Sequence, residues 1–194
     1  MKICLLRHGE TDWNNLGKFQ GREDIPLNST GVEQIKEVAK YLKRFKWKAI
    51  ITSPLLRAKK SAEIISTEIK NIEIHEDADF IERDYGKVSG MKYEERNLYL
   101  SDESMESFEA MQNRTLGALL KYIKQYEGND IIIVSHGAAI YSILTCFTEN
   151  ETGMGKTVSK NACMTLLEKN GDKIKIVFFN KTAAELADKP QLNA

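Results

Sequence analysis

Short apolar runs flanked by charged residues recur at residues 3–6, 49–52 and 130–134. Runs of this kind mark strands buried on both faces of a parallel sheet. Residues 72–75 alternate and predict a weaker strand. Between these runs the apolar positions switch to helical spacing. Thr30-Gly31-Val32-Glu33 reads as a capping box, followed by a stripe of Val32, Ile35, Val38, Ala39 and Leu42. Ser53-Pro54 reads as an N-cap with a proline at the first helical position, ahead of Leu55, Ala58, Ala62, Ile65 and Ile69. A helix over residues 104–126 should turn Phe108, Met111, Leu119, Ile123 and Tyr126 inward. Another after His136 should use Ile140, Ile143, Leu144 and Phe147. Asn170-Gly171 predicts a hairpin turn between strands at 164–167 and 174–179, and a frayed tail is expected at 188–194. Strands alternating with helices predict an α/β fold, a three-layer sandwich with a mostly parallel central sheet flanked by helices.

Composition narrows the class. The chain has 194 residues, 42% hydrophobic and 29% charged, enough for one domain with a core, expected over residues 1–187. Its 28 basic and 28 acidic residues balance, so no generic footprint for nucleic acid or an anionic membrane exists. Three cysteines without CxxC spacing argue against a disulfide framework or a zinc cluster. The apolar run before Arg7 is too short for a secretion signal, and a cytoplasmic protein is expected.

The candidate chemistry lies at the strand ends, where sheets of this type bind ligands. The first predicted strand runs into Arg7-His8-Gly9-Glu10-Thr11. The second runs into Ser53-Pro54 with Arg57 just beyond, and the run at 130–134 leads into Ser135-His136-Gly137. Two arginines suit a phosphate dianion, because each offers a fixed fork of N–H donors. Glycine after each histidine lets backbone approach an anion. A neutral histidine among cations keeps its lone pair and is a competent nucleophile towards phosphorus, while a second can donate to oxygens as charge develops.

These residues carry a resemblance. Arg7-His8-Gly9-Glu10-Thr11 with Trp13-Asn14 resembles the signature of the histidine phosphatase superfamily, in its phosphoglycerate-mutase-like branch. The likeness continues through Gln20-Gly21, Asp24-Ile25-Pro26-Leu27, Gly31, Ser53 to Ala58, Glu82-Arg83-Asp84-Tyr85-Gly86, Gly90 and Ser135-His136-Gly137. It implies that His8 is the nucleophile and that Glu82 protonates the leaving oxygen and then activates water. It also implies that Arg7, Arg57 and His136 hold the phosphoryl group, with Asn14 and the Gly137 backbone assisting. Gln20, Gly21 and Tyr85 are expected to contact the rest of the substrate. No metal or other cofactor is implied, and the expected partner is a small-molecule phosphate ester, met by a monomer or homodimer. Asn180 to Leu186 departs from the family pattern by lacking an Asp and a His, at positions peripheral to the chemistry.

The family contains phosphatases and mutases. A mutase must also bind a carboxylate, whereas residues 90–107, with a short helical lid expected at about 91–110, hold only Lys92 and Arg96 against Glu94, Glu95, Asp102, Glu103 and Glu106. An acidic lid repels a second anion. The reading is therefore hydrolysis of monophosphates with a neutral or aromatic remainder, with Phe19, Tyr85, Tyr93 and Tyr99 offering stacking surface. It resembles the broad-specificity and α-ribazole phosphate phosphatases. The alternatives are a phosphoglycerate mutase and a non-catalytic phospho-ligand binding protein on the same fold. Gly153-Met154-Gly155-Lys156-Thr157 lacks the first glycine of a P-loop, Asn150 standing in its place, and is expected to be a surface loop. His75, out of phase with Ile72 and Ile74, is expected at an edge or in solvent.

Overall fold

The computed structural model describes residues 1–70, 72–98, 103–147 and 159–187. In chain order the elements are β1 (Lys2–Arg7), α1 (Asp12–Asn15), α2 (Ser29–Leu42), β2 (Ala49–Thr52), α3 (Leu56–Glu68) and β3 (Ile74–Glu76). They continue through α4 (Phe108–Gln125), β4 (Ile131–Ser135), α5 (Gly137–Leu144), β5 (Met164–Asn170), β6 (Lys173–Lys181) and α6 (Ala183–Leu186). The strands form one sheet in the order β3-β2-β4-β1-β5-β6. β1, β2, β3 and β4 run parallel, and the β5–β6 hairpin adds antiparallel to β1. The sheet is thus mostly parallel and flanked by helices.

Alternation along the strands divides the core. Cys4, Leu6, Ile50, Ile132 and Val134 point to one face, where Ile35, Val38 and Leu42 of α2 and Ala58, Ala62 and Ile65 of α3 cover them. Ile3, Leu5, Ile51, Ile131 and Ile133 point to the other, against Leu119 and Ile123 of α4 and Ile140 and Ile143 of α5. A period of two residues on a strand and 3.6 on a helix lets both layers fit, and a polar pair enters one of them, Thr115 of α4 meeting Ser142 of α5 at 2.9 Å.

Several local expectations give way to tertiary contacts. The cap of α2 is Asn28, whose side chain accepts from the Gly31 N–H at 2.8 Å, so the expected capping box at Thr30 and Glu33 falls inside the first turn. Asn28 also donates to the Glu10 carboxylate at 3.0 Å, which ties the helix start to the loop after His8. Gly31 itself is required there: a Cβ on it would run into the Glu10 backbone, and one on Gly9 would strike Gly31. α3 begins at Leu56 with Leu55 as its N-cap, not at Pro54, because Ser53 is engaged elsewhere. The stripe expected on that helix is buried throughout. α4 begins at Phe108, capped by Ser107, and Phe108 is 38% exposed and not part of the core. The third strand is displaced to Ile74–Glu76, and the hairpin loop is Gly171-Asp172, with Gly171 at φ 57°. His75 is at the sheet edge, and its Nε2 meets the Tyr126 hydroxyl at 2.8 Å. Tyr99, Asn150, the loop at 153–157 and the tail at 188–194 lie outside the described residues. Among the described residues, no helix is long and apolar enough to cross a membrane.

Candidate active site

The parallel strands deliver their last residues to one edge. Arg7 pairs with Ser135 across β1 and β4, so His8 and His136 follow as neighbours, their ring centroids 5.1 Å apart. Thr52 pairs with Val134 across β2 and β4, which sets Ser53 opposite Ser135, one residue before His136. Register alone thus assembles residues 8, 53 and 136 from three distant segments.

Hydrogen bonding fixes the roles of the ring nitrogens. His8 Nδ1 lies 2.7 Å from the Gly9 carbonyl, which only accepts, so Nδ1 carries the proton and Nε2 keeps its lone pair. Ser53 Oγ accepts from the Leu55 N–H at 3.3 Å and meets His136 Nε2 at 2.7 Å. With the Ser53 hydroxyl as the donor in this contact the His136 ring proton sits on Nδ1, although the second lone pair of Oγ lets it equally accept from Nε2. Burial, and then the charges of Arg57 and Arg7, hold His8 well below the ordinary imidazole range. Burial and the same arginines, with His8, do likewise for His136. Both rings are neutral at physiological pH.

Two arginines flank the pair. Arg57 is fully buried and donates to the Glu23 and Gly21 carbonyls at 2.7 and 2.8 Å; burial pulls its pKa down to about 10, which leaves it charged at neutral pH. Arg7 donates to the Ser159 carbonyl. The Nε of each arginine has no hydrogen-bond partner, and neither has His136 Nδ1. Among the described residues these are the only buried side-chain N–H donors left unpaired, and all three belong to one site. A buried donor without an acceptor costs about 1–3 kcal/mol, so three together define a place built for an oxyanion.

Glu82 closes the opposite side. Its carboxylate accepts from the N–H groups of Arg83 at 2.8 Å, Ala139 at 3.1 Å and Ala138 at 3.2 Å, which seats it on the first turn of α5. The first-turn amides of a helix have no intrahelical acceptor, and Glu82 supplies acceptors to two of them. Gly137 opens that turn, and a Cβ on it would sit 3.7 Å from Arg7 Cζ and 3.9 Å from Glu82 Oε2, inside the cleft.

Of the residues singled out from sequence, Arg7, His8, Asn14, Gln20, Gly21, Arg57, Glu82, Tyr85 and Gly137 line a single cavity of about 520 Å³. His136 does not reach the wall; it lies just beneath, against His8. Asn14 is held by Asn161, whose Nδ2 donates to Asn14 Oδ1 at 3.0 Å and leans on the His8 and Gly9 carbonyls at 3.4 and 3.3 Å. Gln20 is buried with its carbonyl oxygen unpaired. The outer wall is aromatic: Phe19 lies 4.9 Å from Tyr85 and 4.7 Å from Tyr93, and Phe108 lies 6.0 Å from Tyr141.

Sequence reasoning missed four contributors. Ser53 was read as a helix cap, and Asn161 and Ser159 sit on a loop with no motif. Arg83 adds a cation to the cavity wall, its guanidinium 5.8 Å from the Tyr85 ring centroid. Glu106, counted as a lid charge, is in fact paired with Arg114 through both carboxylate oxygens. The available signal was that Ser53 and Arg83 lie within segments that carry the family resemblance, which assigns them no role of their own.

Comparison with known proteins agrees with this geometry. The family model described as "Histidine phosphatase superfamily (branch 1)" matches residues 3–182. The chain is 44% identical over 181 residues to a Bacillus subtilis (strain 168) protein named "Uncharacterized phosphatase PhoE", covering 92% of this chain and 93% of that one. Bacillus stearothermophilus YhfR superposes with a TM-score of 0.84 at 25% identity, covering 93% of this chain and 97% of the other. A mutant phosphoserine phosphatase of Entamoeba histolytica, solved with phosphoserine, gives a TM-score of 0.82 at 32% identity over 95% of this chain and 98% of its own.

Proposed function

The chain belongs to the histidine phosphatase superfamily, and from that premise we propose that it hydrolyses small phosphate monoesters through a phosphohistidine on His8. The observation that carries the reading is the set of three unpaired buried donors, Arg7 Nε, Arg57 Nε and His136 Nδ1, gathered beside a neutral His8 whose Nε2 is free of its proton. In the first step the Nε2 lone pair attacks phosphorus and the bond to the ester oxygen breaks. Glu82 gives that oxygen its proton, so a neutral alcohol leaves. In the second step Glu82 takes a proton from water, the water oxygen attacks phosphorus, the P–N bond breaks, and inorganic phosphate departs. Arg7, Arg57 and His136 donate to the equatorial oxygens in both transition states, with Asn14 and the first turn of α5 beside them.

The aromatic outer wall supports a neutral or aromatic remainder on the substrate, with Tyr85, Tyr93 and Phe19 as contact surface and Gln20 and Gly21 at the base. Residues 91–110 then act as the lid. Arg83 favours a second reading, a remainder that carries a carboxylate, as phosphoserine does in the Entamoeba relative. The test is hydrolysis of p-nitrophenyl phosphate in excess EDTA by the wild type and His8→Ala, followed by a panel of phenyl phosphate, ethyl phosphate and phosphoserine. Turnover that survives EDTA and vanishes in His8→Ala is expected. Turnover by folded His8→Ala would refute the nucleophile. A preference for phosphoserine over phenyl phosphate would favour the Arg83 reading.

A further inference from the structure

Glu82 sits on an irregular stretch between two short 3₁₀ turns, Ala78–Phe80 and Gly86–Val88, with no sheet or helix of its own to hold it. Its carboxylate rests on the N–H groups of Arg83, Ala138 and Ala139, and its backbone is held by Arg114, which lies on α4 and reaches back across the loop. Its Nη1 donates to the Asp79 and Ile81 carbonyls, both at 2.7 Å, and its Nη2 donates to the carbonyl of Glu82 itself at 3.2 Å. The two donors left, Nε and the second Nη2 hydrogen, go to the Glu106 carboxylate at 2.6 and 2.8 Å. A guanidinium has five N–H donors, so Arg114 is fully used, three of its bonds falling on the backbone that carries Glu82.

Glu106 completes the device. Its Oε2 also accepts from the Asp84 N–H at 3.2 Å, its backbone N–H donates to the Asp84 carbonyl at 2.9 Å, and its own carbonyl accepts from Arg83 Nε at 2.8 Å. The carboxyl is held below the usual range: burial works against this, and the bond to Arg114 outweighs it. The residues on both sides of Glu82 are thus fastened to a pair that is itself largely buried, with side chains 16% and 11% exposed. Neither Arg114 nor Glu106 lines the cavity.

We propose that Arg114 and Glu106 are positioning residues for Glu82, and that this clamp sets the reach of the Glu82 carboxylate to the leaving-group oxygen. The inference rests on the proposed role of Glu82 as the proton donor. Positioning of a catalytic carboxylate is sensitive, because a proton must travel a hydrogen-bond length at the moment the bond breaks. Bonds to the backbone carbonyls of Asp79, Ile81 and Glu82 fix both the height and the tilt of the segment, which a single contact cannot do. Lysine cannot substitute, since an ammonium has three donors and no planar fork.

The experiment compares Arg114→Met, Arg114→Lys, Glu106→Gln and Glu82→Gln on p-nitrophenyl phosphate and ethyl phosphate, with vanadate inhibition and thermal melting alongside. An aryl oxide leaves without help, whereas an alkoxide needs the proton. Loss of the clamp should therefore lower kcat/KM, which reports the ester-cleaving step and not the phosphohistidine hydrolysis shared by both substrates, by about 30-fold or more on ethyl phosphate, change it less than about threefold on p-nitrophenyl phosphate, and leave vanadate inhibition unaltered. Glu82→Gln should show the same selectivity more strongly, and Arg114→Lys should resemble Arg114→Met. Equal losses on both esters, or full activity on ethyl phosphate in folded variants, would overturn the clamp. Should Arg114→Met fail to fold, Glu106→Gln decides, because it keeps the shape while removing the charge and replacing one accepting oxygen with an NH2 that cannot accept from Arg114. A Glu82→Gln enzyme with no leaving-group selectivity would overturn both the proton-donor role and the clamp. Selectivity in Glu82→Gln alone would overturn only the clamp.

Discussion

The two buried histidines should make the fold weaken in mild acid, at a pH where ordinary carboxylates are still ionised. His8 and His136 are 2% and 0% exposed and both are held well below their unfolded value, with burial the largest cause and the arginines next. A histidine depressed in the folded state stabilises it above the unfolded pKa, near 6.5, and that contribution is lost as the pH falls through it, because the unfolded chain then binds a proton the folded one refuses. While a ring stays neutral in the folded state, the loss at pH 5.5 is about 1.4 kcal/mol. Two rings give about 2.7 kcal/mol between pH 7.5 and pH 5.5, which for a chain of this size lowers Tm by roughly 5–11 °C. The carboxylates held low, Asp77, Glu106, Glu168 and Glu185, titrate below this window and do not enter it. Urea unfolding followed by tryptophan fluorescence at the two pH values, with imidazole signals recorded by NMR, measures both quantities. His8→Asn should remove about half of the pH dependence. A stability that is flat between pH 7.5 and pH 5.5, or His8 and His136 signals that move with a midpoint near 6.5, would refute the argument.

Arg57→Ala should abolish vanadate inhibition and also destabilise the fold, because the Gly21 and Glu23 carbonyls lose their donor at about 1–3 kcal/mol each; unchanged inhibition would remove Arg57 from the anion site. Ser53→Ala frees the His136 tautomer and should lower kcat by about tenfold with a cost near 1 kcal/mol in stability, and a wild-type kcat would show that Ser53 is only a turn residue. Gly31→Ala drives a Cβ into the Glu10 backbone and should cost about 1–3 kcal/mol while shifting the His8 loop, so both Tm and kcat fall; an unperturbed Tm would contradict the close approach.

What the sequence decided by itself was the layering and which residues stand at the strand ends. Continuous apolar runs can only be buried on both faces, which forces helices onto each side of the sheet, and the stripes on α2, α3 and α5 face inward as their spacing requires. Arg7, His8, Arg57 and His136 stand out as residues near the ends of predicted strands, and Glu82 only through the family resemblance, because these motifs are local, each a few residues long. Tertiary structure decided what depends on partners far along the chain. Asn28 displaced the capping box because Glu10 was within reach of its amide. Ser53 left its helix for His136, and Phe108 moved from core to cavity wall because α4 starts later than its pattern suggests. Arg114 and Glu106 look like solvated charges in the sequence, since nothing local distinguishes a surface arginine from one whose five donors all find acceptors. Only the return of α4 beside residues 79–82 supplies those acceptors, and a hydrogen-bond fork is read by direction and distance, which a linear pattern does not carry.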